Sequence, residues 1–368
     1  MNPSSEYIRF STADETAFHQ ALLQASQDYL QKNNDHRLAN KRNIVVAGGL
    51  FLLSIASYLY ALSTQSSAVY IMAYSFFVIL IMFLNVICQH DACHNTLFKN
   101  TRINRVIGRL VTLPLGIDPD FWRVRHVDYH HHYANIEHYD LDTEENGIFR
   151  QTPFQQWRGF MRYQHIYWPL IAALSLSWIA LVFDWADRTG RTRLRENNVL
   201  SGWQGWLLFL LSKLLHLTIM IGLPLVIVHT HGISISTILF TYLVSQMMAS
   251  MLVVYLLLGT HWAETKFFTP PANHQMPHGW YQHNFMTACD WLPSPHWLWR
   301  LTGGLNYHLT HHLFPGWHHR HYPALAQIIA RLADEYKMPY RCISYRQLVQ
   351  SQISFLRRMG TNNMNKTD

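Results

Sequence analysis

Three short stretches set histidines at helical spacing: His90-Asp91-Ala92-Cys93-His94, His126-Val127-Asp128-Tyr129-His130-His131-His132 and His308-Leu309-Thr310-His311-His312. On an α-helix, side chains at i and i+3 or i+4 share one face with about 6 Å between them. His90 with His94, His126 with His130, and His308 with His311 and His312 each make an imidazole face that suits a metal. His131 is rotated by about 100° and reaches towards a neighbouring metal, while His132, one step further round, is a surface or supporting residue. A lone H-x-x-x-H pair is as compatible with surface or capping histidines as with ligands. Three such groups, in a chain with 24 histidines, are not explained by solvation and predict a histidine-rich metal centre. Neutral imidazole suits iron, copper, zinc and nickel. Eight such ligands (His90, His94, His126, His130, His131, His308, His311 and His312) exceed what one ion holds, so the pattern predicts two metals. The zinc-protease signature H-E-x-x-H is absent, which argues against hydrolytic zinc chemistry.

The elements that must position these side chains are apolar helices. Of 368 residues 49% are hydrophobic and only 14% charged, which excludes a disordered or fibrous chain. A mean hydropathy of −0.04 averages long apolar runs with polar, histidine-laden connections. Stretches near Ile44–Ser63 and Ser67–Cys88 are each about 20 residues without a charge, long enough for the hydrocarbon layer of about 30 Å. Thr64–Ser66 make them a hairpin. Trp206–Val228 and Ile233–Gly259 form a second hairpin, with Lys213 and His216 facing the bundle interior or snorkelling. Trp168–Phe183 is apolar but only about 16 residues, short for a crossing. Arg123, Arg125, Arg150, Arg158 and Arg162 precede it and Arg188, Arg191, Arg193 and Arg195 follow it, whereas the tight turns between spans carry no Lys or Arg. The positive-inside rule places both its flanks in the cytoplasm, so the segment is expected to lie in the interface or re-enter. The predicted fold is an all-α integral membrane protein: four transmembrane helices in two hairpins, capped by a cytoplasmic helical domain that carries the histidines.

The expected organisation is a cytoplasmic arm over 1–43, a transmembrane hairpin over 44–88, a cytoplasmic or interfacial region over 89–204, a second hairpin over 205–259 and a cytoplasmic region over 260–368. Both termini and the metal centre are then cytoplasmic. Thr12-Ala13-Asp14-Glu15 resembles a capping box that opens an amphipathic helix through about Gln31, and the polar opening residues show no secretory signal. The charge of +7 is spread between apolar runs, which excludes a compact nucleic-acid-binding domain and favours an anionic membrane surface or an acidic redox partner. Cys88, Cys93, Cys289 and Cys342 have no C-x-x-C spacing, so neither a disulfide framework nor a thiolate site is expected.

These residues resemble the membrane fatty acid desaturases, whose three histidine boxes bind a di-iron centre. Gln89–His94 is similar to the first box, and Trp122–Asn135 to the second with its trailing Tyr and Asn. Asp140, Asp142 and Tyr163-Gln164-His165-Ile166-Tyr167 follow where that family has them. The stretch from Gly303 through His308, His311 and His312 to Pro315 is similar to the third box and runs into His321-Tyr322-Pro323-Ala324-Leu325. The similarity spans roughly Ile8 to Tyr340 and is closest to the linoleoyl-CoA and front-end acyl branch. Two features depart from that branch. His308 and Thr310 stand where it usually has Gln and Glu, which keeps a metal face but loosens any inference about which carbon is oxidised. No fused cytochrome signature is present, which implies a separate electron donor of ferredoxin or cytochrome type.

The resemblance implies a ligand set of His90, His94, His126, His130, His131, His283, His308, His311 and His312 for two Fe2+ ions. His283, in Trp280-Tyr281-Gln282-His283-Asn284, matches a family histidine between the last span and the third box. His261, in Thr260-His261-Trp262-Ala263-Glu264, matches another just beyond the span and is either a direct ligand or, with Glu264, a residue beside the ligands; Asp91, Asp140, Asp142 and Asn306 are placed there too, the aspartates to orient ring N–H groups. No catalytic side chain is expected beyond the ligands, because an unactivated C–H bond offers acid–base groups no handle and the cofactor supplies the oxidant. The resemblance further implies that dioxygen and two electrons remove two hydrogens from adjacent carbons of a fatty acyl chain, carried on coenzyme A, lipid or carrier protein, with oxygen leaving as water. Hydroxylation or alkyne formation on the same scaffold is the alternative. A histidine-lined metal transporter is the distant one, disfavoured because the histidines lie at the ends of the spans and not near the midplane.

Overall fold

The computed structural model describes residues 7–11, 15–194, 199–262, 265–293, 295–300 and 302–361. The Thr12–Asp14 part of the capping box, Arg195 and Glu264 lie outside them. Helix α1 (Thr16–Lys32) starts after Glu15, whose side chain caps no part of it. That carboxylate instead accepts the Tyr281 and Gln282 amides at 2.9 and 2.6 Å, supplying the orphan donors at the start of α9 (Trp280–Thr287).

Among the described residues, five helices are long and apolar enough to cross a membrane: α2 (Lys41–Ser63), α3 (Ser67–Cys93), α6 (Gly159–Arg188), α7 (Gly202–His231) and α8 (Ile235–His261). The apolar run Trp168–Phe183 is therefore the middle of a helix that extends past it at both ends, and length alone no longer sets it apart from the spans. Helix α3 is the most buried of the five. Tyr58 of α2 and Tyr74 of α3 donate their hydroxyls to the carbonyls of Ile219 and Met220. Those acceptors belong to a π-helical turn, Thr218–Gly222, inside α7. A π-turn leaves carbonyls out of the ordinary ladder, and in an apolar interior they need donors; the two tyrosines provide them. A second π-turn, Asn85–Gln89, interrupts α3 just before the first histidine pair, and Asn85 donates to Ile81 O at 2.9 Å and Val111 O at 2.6 Å.

Beyond α3 the chain forms α4 (Thr101–Thr112) and then the second histidine helix, α5 (residues 119–133). Asp118 caps α5 by accepting from Asp120 N at 2.9 Å and Phe121 N at 3.3 Å. The middle of α5 is π-helical, over Val124–His130. The remaining elements are β1 (Asp290–Leu292), the third histidine helix α10 (His308–Leu313), α11 (Tyr322–Glu335), β2 (Cys342–Ser344) and α12 (Tyr345–Met359). Strands β1 and β2 pair in parallel with Asp290 opposite Cys342. Phe18 and Leu22 of α1 join Leu325 and Ile329 of α11 in a core beneath α10, so the amphipathic arm braces the third histidine helix. Gly303 reaches the left-handed region at φ 57° while its α-carbon passes against α3, where a Cβ would stand 2.7 Å from Val86 O. Only glycine fits that crossing.

Candidate metal centre

Two compact groups of imidazoles form where α3, α5, the end of α8 and α10 converge. His90, His94, His126 and His311 make one, and His130, His261, His308 and His312 the other, with the candidate ligand atoms in each within 4.8 Å of one another. In the first group the His90 and His311 rings are 4.3 Å apart, and His126 Nε2 lies 3.2 Å from His90 Nε2. In the second, His261 is 4.5 Å from the His130 ring and 4.6 Å from that of His308. His131 sits between the groups, its ring 4.5 Å from His311 and 4.4 Å from His312, with Nε2 3.2 Å from His126 Nε2.

The structure divides the boxes differently from α-helical spacing. In a π-helix the partner of residue i lies at i+5, so His126 and His131 meet and His130 is turned to the second group. On α10, His308 and His312 share one group at i and i+4, while His311 serves the other. The faces of α5 and α10, expected to be single, therefore become bridges that feed both groups, while His90 and His94 stay together in the first.

Hydrogen bonds behind the rings set their orientation. His130 Nδ1 lies 3.2 Å from Asp140 Oδ1, and Asp140 is itself held by the Asn135 and Asp142 amides at 2.9 and 3.0 Å. His261 Nδ1 donates to Thr287 O at 2.8 Å, and His311 Nδ1 pairs with the Tyr322 hydroxyl at 2.8 Å. These partners engage Nδ1 of His130 and His261 and leave Nε2 of both directed inward. Burial pushes the His130 imidazolium down, but the Asp140 carboxylate outweighs it and raises the pKa to about 9. Burial drives His311 and His312 well below the ordinary imidazole range, so both are neutral and ligand-ready. His94 Nε2, His311 Nε2, His308 Nδ1 and both nitrogens of His312 are buried without a partner. Such orphaned atoms are costly unless something binds them, and their convergence fits metal ions.

The other expected residues are placed as follows. His283 is fully buried but belongs to neither group: Nε2 donates to Ala134 O at 2.8 Å and Nδ1 faces His278 Nε2 at 3.0 Å. Both nitrogens are consumed, and the residue fixes the backbone just after α5. His261, expected as a ligand or beside the ligands, is a full member of the second group. Asp91 points away from the rings and accepts from His319 Nδ1 at 2.5 Å, with His318 Nε2 at 3.3 Å, tying the first box to the segment after the third. Asp142 comes within 3.6 Å of His130 Nδ1. Asn306 bonds Trp291 O at 3.0 Å and accepts from Thr302 at 2.9 Å, holding the turn before α10. His132 is exposed and bonds Val127 O. Asp290, which the sequence did not single out, receives the Thr310 amide at 3.1 Å and hydroxyl at 2.6 Å from inside the third box.

An apolar groove of about 650 Å³, lined by Ile79 of α3, Ala173 of α6, Met247, Met251 and Tyr255 of α8 and Tyr345 of α12, runs along the bundle towards the cap. It ends about two turns of helix before His261.

The family model for fatty acid desaturases matches residues 65–344. The chain is 31% identical over 277 residues to the sn-1 linoleoyl-lipid 6-desaturase of Synechocystis, covering 74% of this chain and 75% of that protein. It is 26% identical over 345 residues to the acyl-lipid (8-3)-desaturase of Physcomitrium patens, covering 90% and 69%. With the sn-1 linoleoyl-lipid 6-desaturase of Arthrospira platensis it shares 25% identity over 277 residues.

Proposed function

This chain belongs to the fatty acid desaturase family, and we propose that its two imidazole groups hold a pair of ferrous ions with which it inserts a double bond into an acyl chain carried on a membrane lipid. The single observation that carries the reading is the convergence of two four-histidine groups with orphaned, buried ring nitrogens. When bound, the two irons with dioxygen and two electrons supply the oxidising power that removes hydrogens from adjacent carbons, the oxygen leaving as water. The proposed ligands are His90, His94, His126, His131 and His311 for one ion and His130, His261, His308 and His312 for the other. Asp140, Thr287 and Tyr322 keep protons on, or bonds to, Nδ1 so that Nε2 faces the metal. Burial excludes water from the reacting carbons. The lipid-linked substrate is favoured by the named activities of the relatives and by the apolar groove that opens along the bundle. The electrons come from a separate ferredoxin- or cytochrome-type protein.

The topology we propose has four crossings, with α6 lying along the cytoplasmic interface. Residues 90–131 meet residues 261–312, so the crossings between them must be even in number; α7 and α8 supply two, and a crossing α6 would make three. Contacts at both ends of α6 support this. Near its start Gln164 donates to Leu356 O of α12 at 2.9 Å, and near its end Asp187 holds Arg125 of α5 at 2.8 Å. Both termini and the metal centre then share the cytoplasmic side.

The test is expression of the chain in a host supplied with lipid-linked polyunsaturated acyl chains. Mass spectrometry should locate one new double bond in the lipid fraction, absent with His311→Ala, and purified protein should carry about two irons per chain. A hydroxylated product, or full activity of His311→Ala with undiminished iron, would overturn the proposal.

A further inference from the structure

We infer that α4 is a membrane-surface element that docks on the anionic headgroups of the cytoplasmic leaflet. From Ala92 to Ile117 the chain has no acidic residue, yet it carries Lys99, Arg102, Arg105 and Arg109. Arg109 is paired with Asp120. Lys99, Arg102 and Arg105 are exposed. Three sides of the helix have three different surroundings. Asn104, Gly108, Val111 and Thr112 are buried against the protein. There the helix sits so close that a Cβ on Gly108 would be 2.3 Å from Gln89 Oε1. Ile103, Val106 and Leu110, at i, i+3 and i+7, form a stripe on the outer side and are 44%, 57% and 52% exposed. Arg102 and Arg105 line one edge of that stripe.

A cap helix surrounded by water would carry polar residues where this one carries Ile, Val and Leu. A strongly amphipathic helix with a narrow apolar stripe and a basic edge is instead the form that lies in the interface, its stripe sunk about 5–10 Å and its cations at the phosphates. The place in the chain agrees: α4 begins directly after the cytoplasmic end of α3, connected by residues 94–100. The occupant is the bilayer and not an acidic protein, because the outermost side chains of the stripe are aliphatic and continuous with the end of a span. Because Gly108 abuts Gln89 and Val111 O accepts from Asn85 at 2.6 Å, α4 seated on lipid also braces the turn of α3 that presents His90 and His94. This inference rests on α3 being a span and not on the metal centre.

The full chain in nanodiscs tests it, with Cys342→Ser as background because Cys342 is the one exposed cysteine among the described residues. Spin labels at Ile103→Cys and Val106→Cys should collide several-fold more with oxygen than with a water-soluble nickel complex, as should a mid-span control at Leu52→Cys, while Thr101→Cys should not. Adding phosphatidylglycerol to phosphatidylcholine discs should deepen the first two positions, and Arg102→Gln with Arg105→Gln should remove that response. Water-exposed labels at 103 and 106 with Leu52 immersed would overturn the inference and leave the spans intact; Leu52 in water would overturn the membrane reading itself. Immersion that ignores both phosphatidylglycerol and the arginine substitutions would overturn the assignment to anionic headgroups.

Discussion

The Nε2 atoms of His261 and His308 face one another at 2.6 Å, although the residues come from the end of α8 and the start of α10. His261 donates through Nδ1 to Thr287 O at 2.8 Å, so its Nε2 carries a lone pair, and His308 Nδ1 has no partner. The His261 lone pair accepts the His308 Nε2 proton across the contact, and a cation would take the proton's place between the two rings. His261→Ala is therefore expected to remove about half of the bound iron and all desaturation, because imidazole donors set the site's affinity. His283→Ala, which loses a bond to Ala134 O, should retain its iron. Metal analysis of the two purified variants checks both; equal iron losses would move His283 into the ligand set.

Asp140→Asn keeps the size of the side chain while removing the charge that holds the His130 proton on Nδ1. Burial and the carboxylate act in opposite directions on His130, and the carboxylate prevails, raising its pKa to about 9. Without it nothing holds the His130 proton on Nδ1, and the ring is free to change tautomer. Outer hydrogen bonds of this kind contribute about 10–100-fold to metal affinity, so the variant should bind iron more weakly by roughly that factor. Titration of iron-free protein with ferrous ion, followed by competition with a chelator, measures the change.

Much of this centre was legible from spacing alone, because eight of the proposed ligands lie in three short runs at helical intervals. What spacing could not give was their division. That depends on the π-turn over Val124–His130, which pairs His126 with His131 and turns His130 away, and a π-turn has no sequence signature as clear as a cap or a proline. His261 stood alone, so only tertiary contact places it in a histidine group. Asp290 was invisible for a similar reason: it is distant in sequence from Thr310 and approaches it only where Trp291 and Asn306 bond to each other just before α10. Apolar length identified four of the five long helices, while α6 exceeded its apolar run because polar residues at both ends are satisfied by α5 and α12.

Asp290 is fully buried and accepts from Thr310 and, at 3.0 Å, from the Tyr340 hydroxyl. Burial outweighs these donors and pushes its pKa up to about 6. The sign follows from linkage: an acid whose folded pKa exceeds its unfolded value binds protons more strongly when folded, so its stabilising contribution is complete below about pH 4 and is lost as pH rises through about 6. Asp290→Asn should flatten the dependence of stability on pH between those values. Thermal unfolding of the detergent-solubilised protein across that window tests it, and an unchanged slope would remove Asp290 as its source.

Lys213 and Asp184 form an ion pair at 2.6 Å with side chains only 12% and 3% exposed. The ammonium also donates to Gly116 O at 2.6 Å and Ala180 O at 2.7 Å, and the carboxylate accepts the Asp118 amide at 2.8 Å. Through Gly116 and Asp118 the pair pins the backbone that starts α5. Removing one partner of a buried pair strands the other charge and costs about 3–5 kcal/mol, whereas replacing both with apolar residues of similar volume is often neutral. Lys213→Met should therefore lower the apparent melting temperature markedly, and adding Asp184→Leu should recover most of the loss. If the double variant is no more stable than the single, the bonds to the Gly116 and Ala180 carbonyls, and not the stranded carboxylate, account for the damage. Iron content measured on the same samples then reports whether the start of α5 still holds His126, His130 and His131 in place.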